Sequence, residues 1–424
     1  MKPAVEVFES QFLGERYYRA VHACGLPIYV FPKNLSATHA LLAVNYGSVD
    51  RDAGIPEGVA HFLEHKLFSN EDGSDSFERF SAFGADANAY TSHTKTVYLF
   101  TATDRFADSF GELLQFVTHP YFTPESVAKE QGIIGEEIRM CYDNPYDRCY
   151  YNMLEGLYHR HPVKNEICGS VKSIAAITDK TLYACYHSYY RPDNMALVVC
   201  GNVTLEEILT LAEEHLPKTA DHTAVIRPSV IEPDSVHRSR IVTKGQVAKP
   251  IFAIGVKDVN VPEDANARAK RDAGMAILSE MLFSESGELY NDLFDKELIS
   301  PEFSADFALT RGFGFLQISG EADDPDAVLK EVLSFLDRCR REGLSREDFE
   351  RCRRVEFAEY IKSFDSTEEI ANTLLAFVFD GSELFAYADI LRNMTFEEIK
   401  VLFNEFFVPE RFTLSVVKPN RQIK

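Results

Sequence analysis

The chain has 424 residues, of which 45% are apolar, so its length and composition predict two or three globular domains. Its 66 acidic and 44 basic residues give a formal charge of −22, which argues against nucleic acid or an anionic membrane as a partner. The first residues form no apolar signal segment, and no run of about 18 apolar residues follows. We therefore expect a soluble cytoplasmic protein.

Short β-rich runs fill the first part of the chain. Clusters of β-branched and aromatic residues, broken by Gly, Pro and Asn, predict three strands, at residues 17–21, 26–30 and 39–46. A loop from Asp52 to Gly58 then leads into a predicted helix. Farther along, a second helix is predicted at residues 76–83, and a second sheet segment follows at residues 88–91 and 97–100.

The segment 58–68 contains two histidines four residues apart with a glutamate between them, His61, Glu64 and His65. On a helix these three positions share one face. Two neutral imidazoles on successive turns can bind one Zn²⁺ at about 2.0–2.1 Å, while a nearby carboxylate takes a proton from water. The order His-x-x-Glu-His inverts the commoner zinc-protease motif. The segment therefore predicts a zinc hydrolase helix, and the alternative is a structural pair of histidines.

A metal held by two histidines needs a third protein ligand. The pair Thr123-Pro124, an N-cap residue followed by proline at the first helical position, predicts a helix that runs to about Cys141. This helix is rich in carboxylates. Spacing alone does not choose the ligand among Glu125, Glu130, Glu136 and Glu137.

An internal repeat links the two halves of the chain. Residues 177–199 are echoed by residues 394–416, so that Thr178 matches Thr395 and Pro192 matches Pro409. We predict an α+β chain of two homologous α/β domains, each a mostly antiparallel sheet packed with helices. The predicted domains are a zinc-bearing N-terminal peptidase domain, 1–228, and a homologous C-terminal domain without the zinc motif, 229–424.

The second copy of the histidine helix is predicted to lie near residues 274–283. There, His61, Glu64 and His65 correspond to Ala276, Ser279 and Glu280. Only one half therefore carries the predicted metal ligands.

With these motifs the chain resembles the pitrilysin/insulinase-type (inverzincin) zinc metallopeptidases, a family that includes mitochondrial processing peptidase and small bacterial two-domain members. Segments 58–68, 88–91, 130–143 and 191–195 carry the resemblance. It implies that His61, His65 and Glu137 bind zinc, with Glu136 the main alternative to Glu137. It also implies that Glu64 is the catalytic base and that Glu130 is an acid that contacts a zinc ligand and not the zinc itself.

The resemblance further implies how the substrate binds. Asn88, Ala89 and Tyr90 would form a sheet edge to which an extended peptide adds as a strand. Family members with a complete site usually carry an arginine and a tyrosine, seven residues apart, in the second half. In this chain those two positions hold Phe294 and Pro301.

We therefore expect a zinc-dependent endopeptidase that hydrolyses short or unfolded peptides. The missing pair implies a homologous partner subunit that supplies the arginine and the tyrosine, in a homo- or heterodimer. The alternative is a non-proteolytic binding or assembly subunit with a structural zinc site.

Overall fold

The computed structural model describes residues 4–50, 54–219, 225, 227 and 230–420. Asp52 of the predicted loop and residues 228 and 229 at the predicted domain boundary lie outside the described residues. In the first half of the chain the elements are β1 (Val5–Ser10), β2 (Glu15–Val21), β3 (Pro27–Pro32), β4 (Thr38–Val44), α1 (Val59–Leu67), α2 (Ser76–Phe83), β5 (Asp86–Thr91), β6 (Thr96–Ala102), α3 (Phe106–Thr118), α4 (Pro124–Asp143), α5 (Pro145–Leu157), α6 (Val171–Ile174), α7 (Asp179–Tyr189), β7 (Met195–Gly201) and α8 (Leu205–His215).

The second half repeats this alternation of strands and helices. Its elements are β8 (Arg240–Gly245), β9 (Ile251–Asp258), α9 (Ala265–Phe283), α10 (Glu288–Asp295), β10 (Ser304–Thr310), β11 (Phe313–Glu321), α11 (Pro325–Glu342), α12 (Arg346–Lys362), α13 (Thr367–Asp380), α14 (Leu384–Asn393), α15 (Phe396–Phe406) and β12 (Phe412–Pro419). No helix in the described part of the chain has the length and apolar character needed to cross a bilayer.

The chain forms two compact units. The first contains the described residues within 1–138, 166–228 and 361–385, and the second contains those within 139–165, 229–360 and 386–424. Helix α5 of the first half thus belongs to the second unit, and α13 of the second half belongs to the first. The continuous domains 1–228 and 229–424 stay a prediction, and the compact units cross that boundary in these segments.

Each unit is built on a mostly antiparallel sheet. The first sheet has seven strands in the order β1-β2-β3-β7-β4-β6-β5, and only the β3–β7 pair is parallel. The second has five strands in the order β10-β11-β9-β12-β8, and only the β12–β8 pair is parallel. The predicted fold class is confirmed.

The two sheets repeat one topology. The order β3-β7-β4-β6-β5 in the first matches β8-β12-β9-β11-β10 in the second, with the parallel pair in the same place. The local structure repeats as well. Thr178 caps α7 and Thr395 caps α15 through their side-chain oxygens, and a 3₁₀ turn precedes each final strand, at Pro192–Asn194 and Pro409–Arg411.

The first sheet positions the histidine helix. Helix α1 packs on β5 and β6, and its Phe62 and Leu63 are buried in the same apolar core as Tyr98 of β6. The helix begins after Gly58, whose φ of 89° is a left-handed conformation. A Cβ at this position would lie 2.5 Å from the carbonyl oxygen of Cys168, so only glycine fits.

Candidate metal centre

Helix α1 places its two histidines side by side. Because His61 and His65 are one turn apart, their rings meet edge to face, with centroids 4.6 Å apart. His61 is buried and His65 is partly buried. The face that holds them also holds Glu64, as the sequence predicts.

Helix α4 brings a carboxylate to both rings. Oε1 of Glu137 lies 3.4 Å from Nε2 of His61, and its Oε2 lies 3.4 Å from Nε2 of His65. Among the described residues, His61, His65 and Glu137 are the one group of three metal-binding side chains whose ligand atoms all lie within 4.8 Å of one another. Glu125 and Glu136 of the same helix are exposed.

The three side chains fit a zinc ion. Tetrahedral ligands at about 2.0–2.2 Å from zinc lie about 3.3–3.6 Å from one another, and the two 3.4 Å separations fall in this range. They are longer than the roughly 2.7–2.9 Å of a good charge-assisted hydrogen bond. Two imidazoles and one carboxylate are a known catalytic donor set, which leaves a fourth position open.

A second carboxylate of α4 contacts the other side of the His65 ring. Nδ1 of His65 lies 3.3 Å from Oε1 of Glu130. Ligating histidines usually donate their second ring N–H in this way, and the contact fixes the tautomer and the ring orientation. Glu130 and Glu137 therefore contact opposite nitrogens of the His65 ring.

The histidines and carboxylates of this centre shift one another's pKa values. Burial opposes a charge on His65, but its hydrogen bonds with Glu130 and Glu137 outweigh burial and raise its pKa to about 10. The hydrogen bonds from His61 and His65 hold the pKa of Glu137 well below its usual range. To hold a metal ion, His65 would have to release this proton, because only the neutral imidazole is a ligand.

Glu64 is bound to the edge strand of the first sheet. Oγ1 of Thr91, the last residue of β5, donates a 2.5 Å hydrogen bond to Oε2 of Glu64. Neither oxygen of Glu64 is part of the group of ligand atoms. No sequence motif assigns a role to Thr91, although it directly follows the predicted peptide-binding residues.

Asn88, Ala89 and Tyr90 lie on β5, which pairs with β6 on one side and is the last strand of its sheet. The hydroxyl of Tyr90 donates to Oδ1 of Asn372 in α13, at 3.0 Å. Asn372 could not be predicted from the sequence, because no local pattern links Tyr90 to a residue 282 positions away.

The matching helix of the second unit has no such ligands. Ala276, Ser279 and Glu280 of α9 line a cavity of about 500 Å³ together with several carboxylates. One of these is Glu356, whose pKa is raised to about 7 by burial and by nearby acids such as Glu280. Phe294, at the predicted arginine position, lies in α10 with 48% of its surface exposed.

Comparisons with known proteins identify the family of the chain. The family model described as Insulinase (Peptidase family M16) matches residues 32–171, and the model described as Peptidase M16 inactive domain matches residues 176–356. The uncharacterised zinc protease YmfH of Bacillus subtilis (strain 168) is 36% identical over 98% of this chain and 99% of its own length. The chain belongs to peptidase family M16. The predicted family is thereby confirmed, and the relatives of this M16 chain are named as zinc proteases.

Further matches come from one more sequence and two solved structures. The zinc protease PqqE of Helicobacter pylori is 24% identical over 85% of this chain and 83% of its own length. An M16-like peptidase structure from Alicyclobacillus acidocaldarius superposes with a TM-score of 0.89 at 34% identity, and the match covers 99% of each chain. A protease structure from Helicobacter pylori has a TM-score of 0.85 at 20% identity, which supports the fold alone.

Proposed function

We propose that this M16 chain is a zinc-dependent endopeptidase that hydrolyses short or unfolded peptides. The observation that carries the proposal is the convergence of His61 and His65 from α1 with Glu137 from α4, with Glu64 beside them but outside the ligand group. This set provides three ligands and one separate carboxylate, as catalytic zinc sites require.

The residues divide the chemistry between them. A zinc ion held by His61, His65 and Glu137 would supply a Lewis acid that polarises the peptide carbonyl and makes water more acidic. Glu64 would take the proton of the attacking water and pass it to the leaving amine. Glu130 would keep the His65 ring in the orientation that binding needs.

The edge strand β5 supports a peptide substrate. An edge strand has unpaired backbone groups, to which an extended peptide can add by hydrogen bonding. Asn88, Ala89 and Tyr90 lie on this strand, and its last residue contacts Glu64. A peptide bound along β5 would thus lie next to the proposed base. Folded substrates do not offer such an extended segment.

We further propose that a homologous partner subunit supplies an arginine and a tyrosine. Charge develops on the carbonyl oxygen during attack, and hydrogen-bond donors that stabilise it are each worth ~10²–10³ in kcat. Phe294 and Pro301 have no such donors on their side chains. The partner could be a second copy of this chain only if it provides those donors elsewhere, so a heterodimer is favoured.

A non-proteolytic role is the second candidate. It is favoured by the match of residues 176–356 to a model described as an inactive domain and by the loss of both donors at positions 294 and 301. In that case zinc would be structural, and Glu64 would have no chemical role.

The variant Glu64→Gln separates the two candidates, because Gln keeps the shape of the side chain but does not accept a proton. The endopeptidase proposal expects wild-type zinc content and a loss of cleavage of labelled casein, measured with and without the partner subunit. The paired control His65→Ala should lose both zinc and cleavage. A Glu64→Gln variant that cleaves as fast as the wild-type chain would contradict the proposal.

A further inference from the structure

The strand β5 ends in a residue that contacts the proposed base. Oγ1 of Thr91 lies 2.5 Å from Oε2 of Glu64, within the range of about 2.5–2.7 Å that is typical of a hydroxyl donating to a carboxylate. Glu64 is buried and Thr91 is partly buried, so solvent screens this bond only weakly.

The Thr91 hydroxyl is itself held by the sheet. Thr91 pairs with Thr96 of β6, and the two hydroxyl oxygens are 3.4 Å apart. Thr96 is fully buried, and its hydroxyl donates to the carbonyl oxygen of Tyr46, at 3.0 Å. The proton of Thr96 is therefore engaged elsewhere. Thr91 is left with Glu64 as the acceptor for its own proton.

A glutamate needs such a support when it acts as a base. Its side chain has three rotatable bonds, and a small misplacement of the carboxylate relative to water and substrate lowers the rate strongly. A hydrogen bond to Oε2 restrains the rotation of the carboxylate and leaves Oε1 as the oxygen that would take the proton of the water. Because side chains alternate along a strand, Thr91 points to the opposite face from Tyr90.

We propose that Thr91 is a positioning residue for Glu64. This inference rests on the proposed function, since it assigns the orientation of the base in that reaction. The same strand then performs two tasks, because the segment that would pair with the peptide is followed directly by the residue that holds the base. The position of the base is thereby tied to the position of the bound peptide.

The test compares Thr91→Val, which removes the hydroxyl at almost constant shape, with Thr91→Ser, which keeps it. Losing a hydrogen bond to a charged group corresponds to a decrease of about 10- to 100-fold in kcat for Thr91→Val. KM for a quenched fluorescent peptide should stay within about twofold, because the peptide contacts the strand backbone. Thr91→Ser should recover most of the wild-type kcat.

Thr310→Val is the matched control. Thr310 is the last residue of β10, the edge strand of the second sheet, and no described residue accepts or donates a hydrogen bond at its Oγ1. This variant should keep the wild-type kcat. If Thr91→Val does not fold by circular dichroism, Thr91→Ala removes the same hydroxyl and takes its place.

Two further measurements do not depend on turnover by the active enzyme. The zinc content of Thr91→Val should equal that of the wild-type chain. The double variant Thr91→Val/Glu64→Gln is compared with Glu64→Gln alone. Because Thr91 acts through Glu64, the two should have the same affinity for a labelled peptide, measured by fluorescence anisotropy, and the same residual rate. Loss of zinc in Thr91→Val, or a further decrease in the double variant, would overturn the inference.

The outcomes also separate this inference from the function on which it rests. A wild-type chain without zinc-dependent cleavage, alone or with its partner subunit, would overturn both. An active wild-type chain with an equally active Thr91→Val variant would overturn the positioning role alone.

Discussion

Neighbouring glutamates in α4 have very different surroundings. Glu137 lies 3.4 Å from both imidazoles, whereas Glu136 is exposed. The sequence could not separate them by spacing, because a contact between two helices depends on how the helices pack and not on the pattern within either. His61, Glu64 and His65 are different, since the period of a single helix places them on one face.

This difference predicts that substitutions at positions 137 and 136 have different effects on zinc binding. Glu137→Gln removes an anionic ligand and should weaken zinc binding by about 100-fold or more, whereas Glu136→Gln should bind zinc as the wild-type chain does. Competition with a fluorescent zinc chelator measures both affinities. Equal losses in the two variants would remove Glu137 from the centre.

Glu130 should have a smaller effect, because it contacts a ligand and not the ion. Glu130→Ala deprives Nδ1 of His65 of its acceptor, and we expect zinc affinity to decrease by about 10- to 100-fold. Glu125→Ala, an exposed acid in the first turn of the same helix, is the control. A Glu130→Ala variant with unchanged affinity would exclude the supporting role.

Among the elements of the fold, the segment before β8 contains a partly buried glutamate, Glu232, that binds the backbone of a loop. Glu232 accepts hydrogen bonds from the backbone N–H groups of residues 159, 160 and 161, at 2.5–2.9 Å, and from Nζ of Lys257 at 3.0 Å. Lys257 is buried, and its Nζ lies 5.0 Å from the ring centroid of Tyr158. All of these residues belong to the second unit.

Replacing this carboxylate should destabilise the second unit in a pH-dependent way. Burial raises the pKa of Glu232, but the hydrogen bonds outweigh it and lower the pKa from 4.5 to about 2. The stabilisation is therefore complete above about pH 4.5 and is lost as the pH falls to about 2. Glu232→Gln should lower the free energy of unfolding by about 3 kcal/mol at pH 7.

Urea denaturation at pH 7 and at pH 3 tests this expectation. The difference between the wild-type chain and Glu232→Gln should be smaller at pH 3. A difference that is the same at both pH values would show that the carboxylate charge is not the cause.

The sequence largely predicted the helices and strands themselves, but it did not predict which elements pack against one another. The helix predicted at 76–83 and the strand predicted at 88–91 are both confirmed. The sequence could not predict that α5 belongs to the second unit, because α5 packs on a sheet whose first strands lie about 100 residues farther along the chain. There α5 packs against β9, where a Cβ on Gly255 would lie 2.7 Å from Met153.

At the scale of the whole molecule, the topology is duplicated but only the first unit carries the proposed zinc ligands. Positions 294 and 301 of the second half lack the arginine and the tyrosine that would stabilise the carbonyl oxygen. The repeat was visible in the sequence because capping residues and prolines keep their offset. The assembly was not, because surface residues of one chain do not identify a partner.

We expect the chain alone to cleave labelled casein slowly and the mixture with a homologous chain that carries the arginine and tyrosine to cleave it at least about 100-fold faster. The partner mixed with the Glu64→Gln chain is the control and should show no more than a residual rate. If the single chain were as active as any mixture, the partner would not be needed.

The central claim is that one zinc ion binds between α1 and α4. Anomalous diffraction at the zinc edge, from a crystal grown with zinc, tests it most directly. We expect one strong peak about 2.0–2.2 Å from Nε2 of His61, Nε2 of His65 and the carboxylate of Glu137, with a fourth position not filled by protein. A peak elsewhere, or an ion with four protein ligands, would contradict the claim.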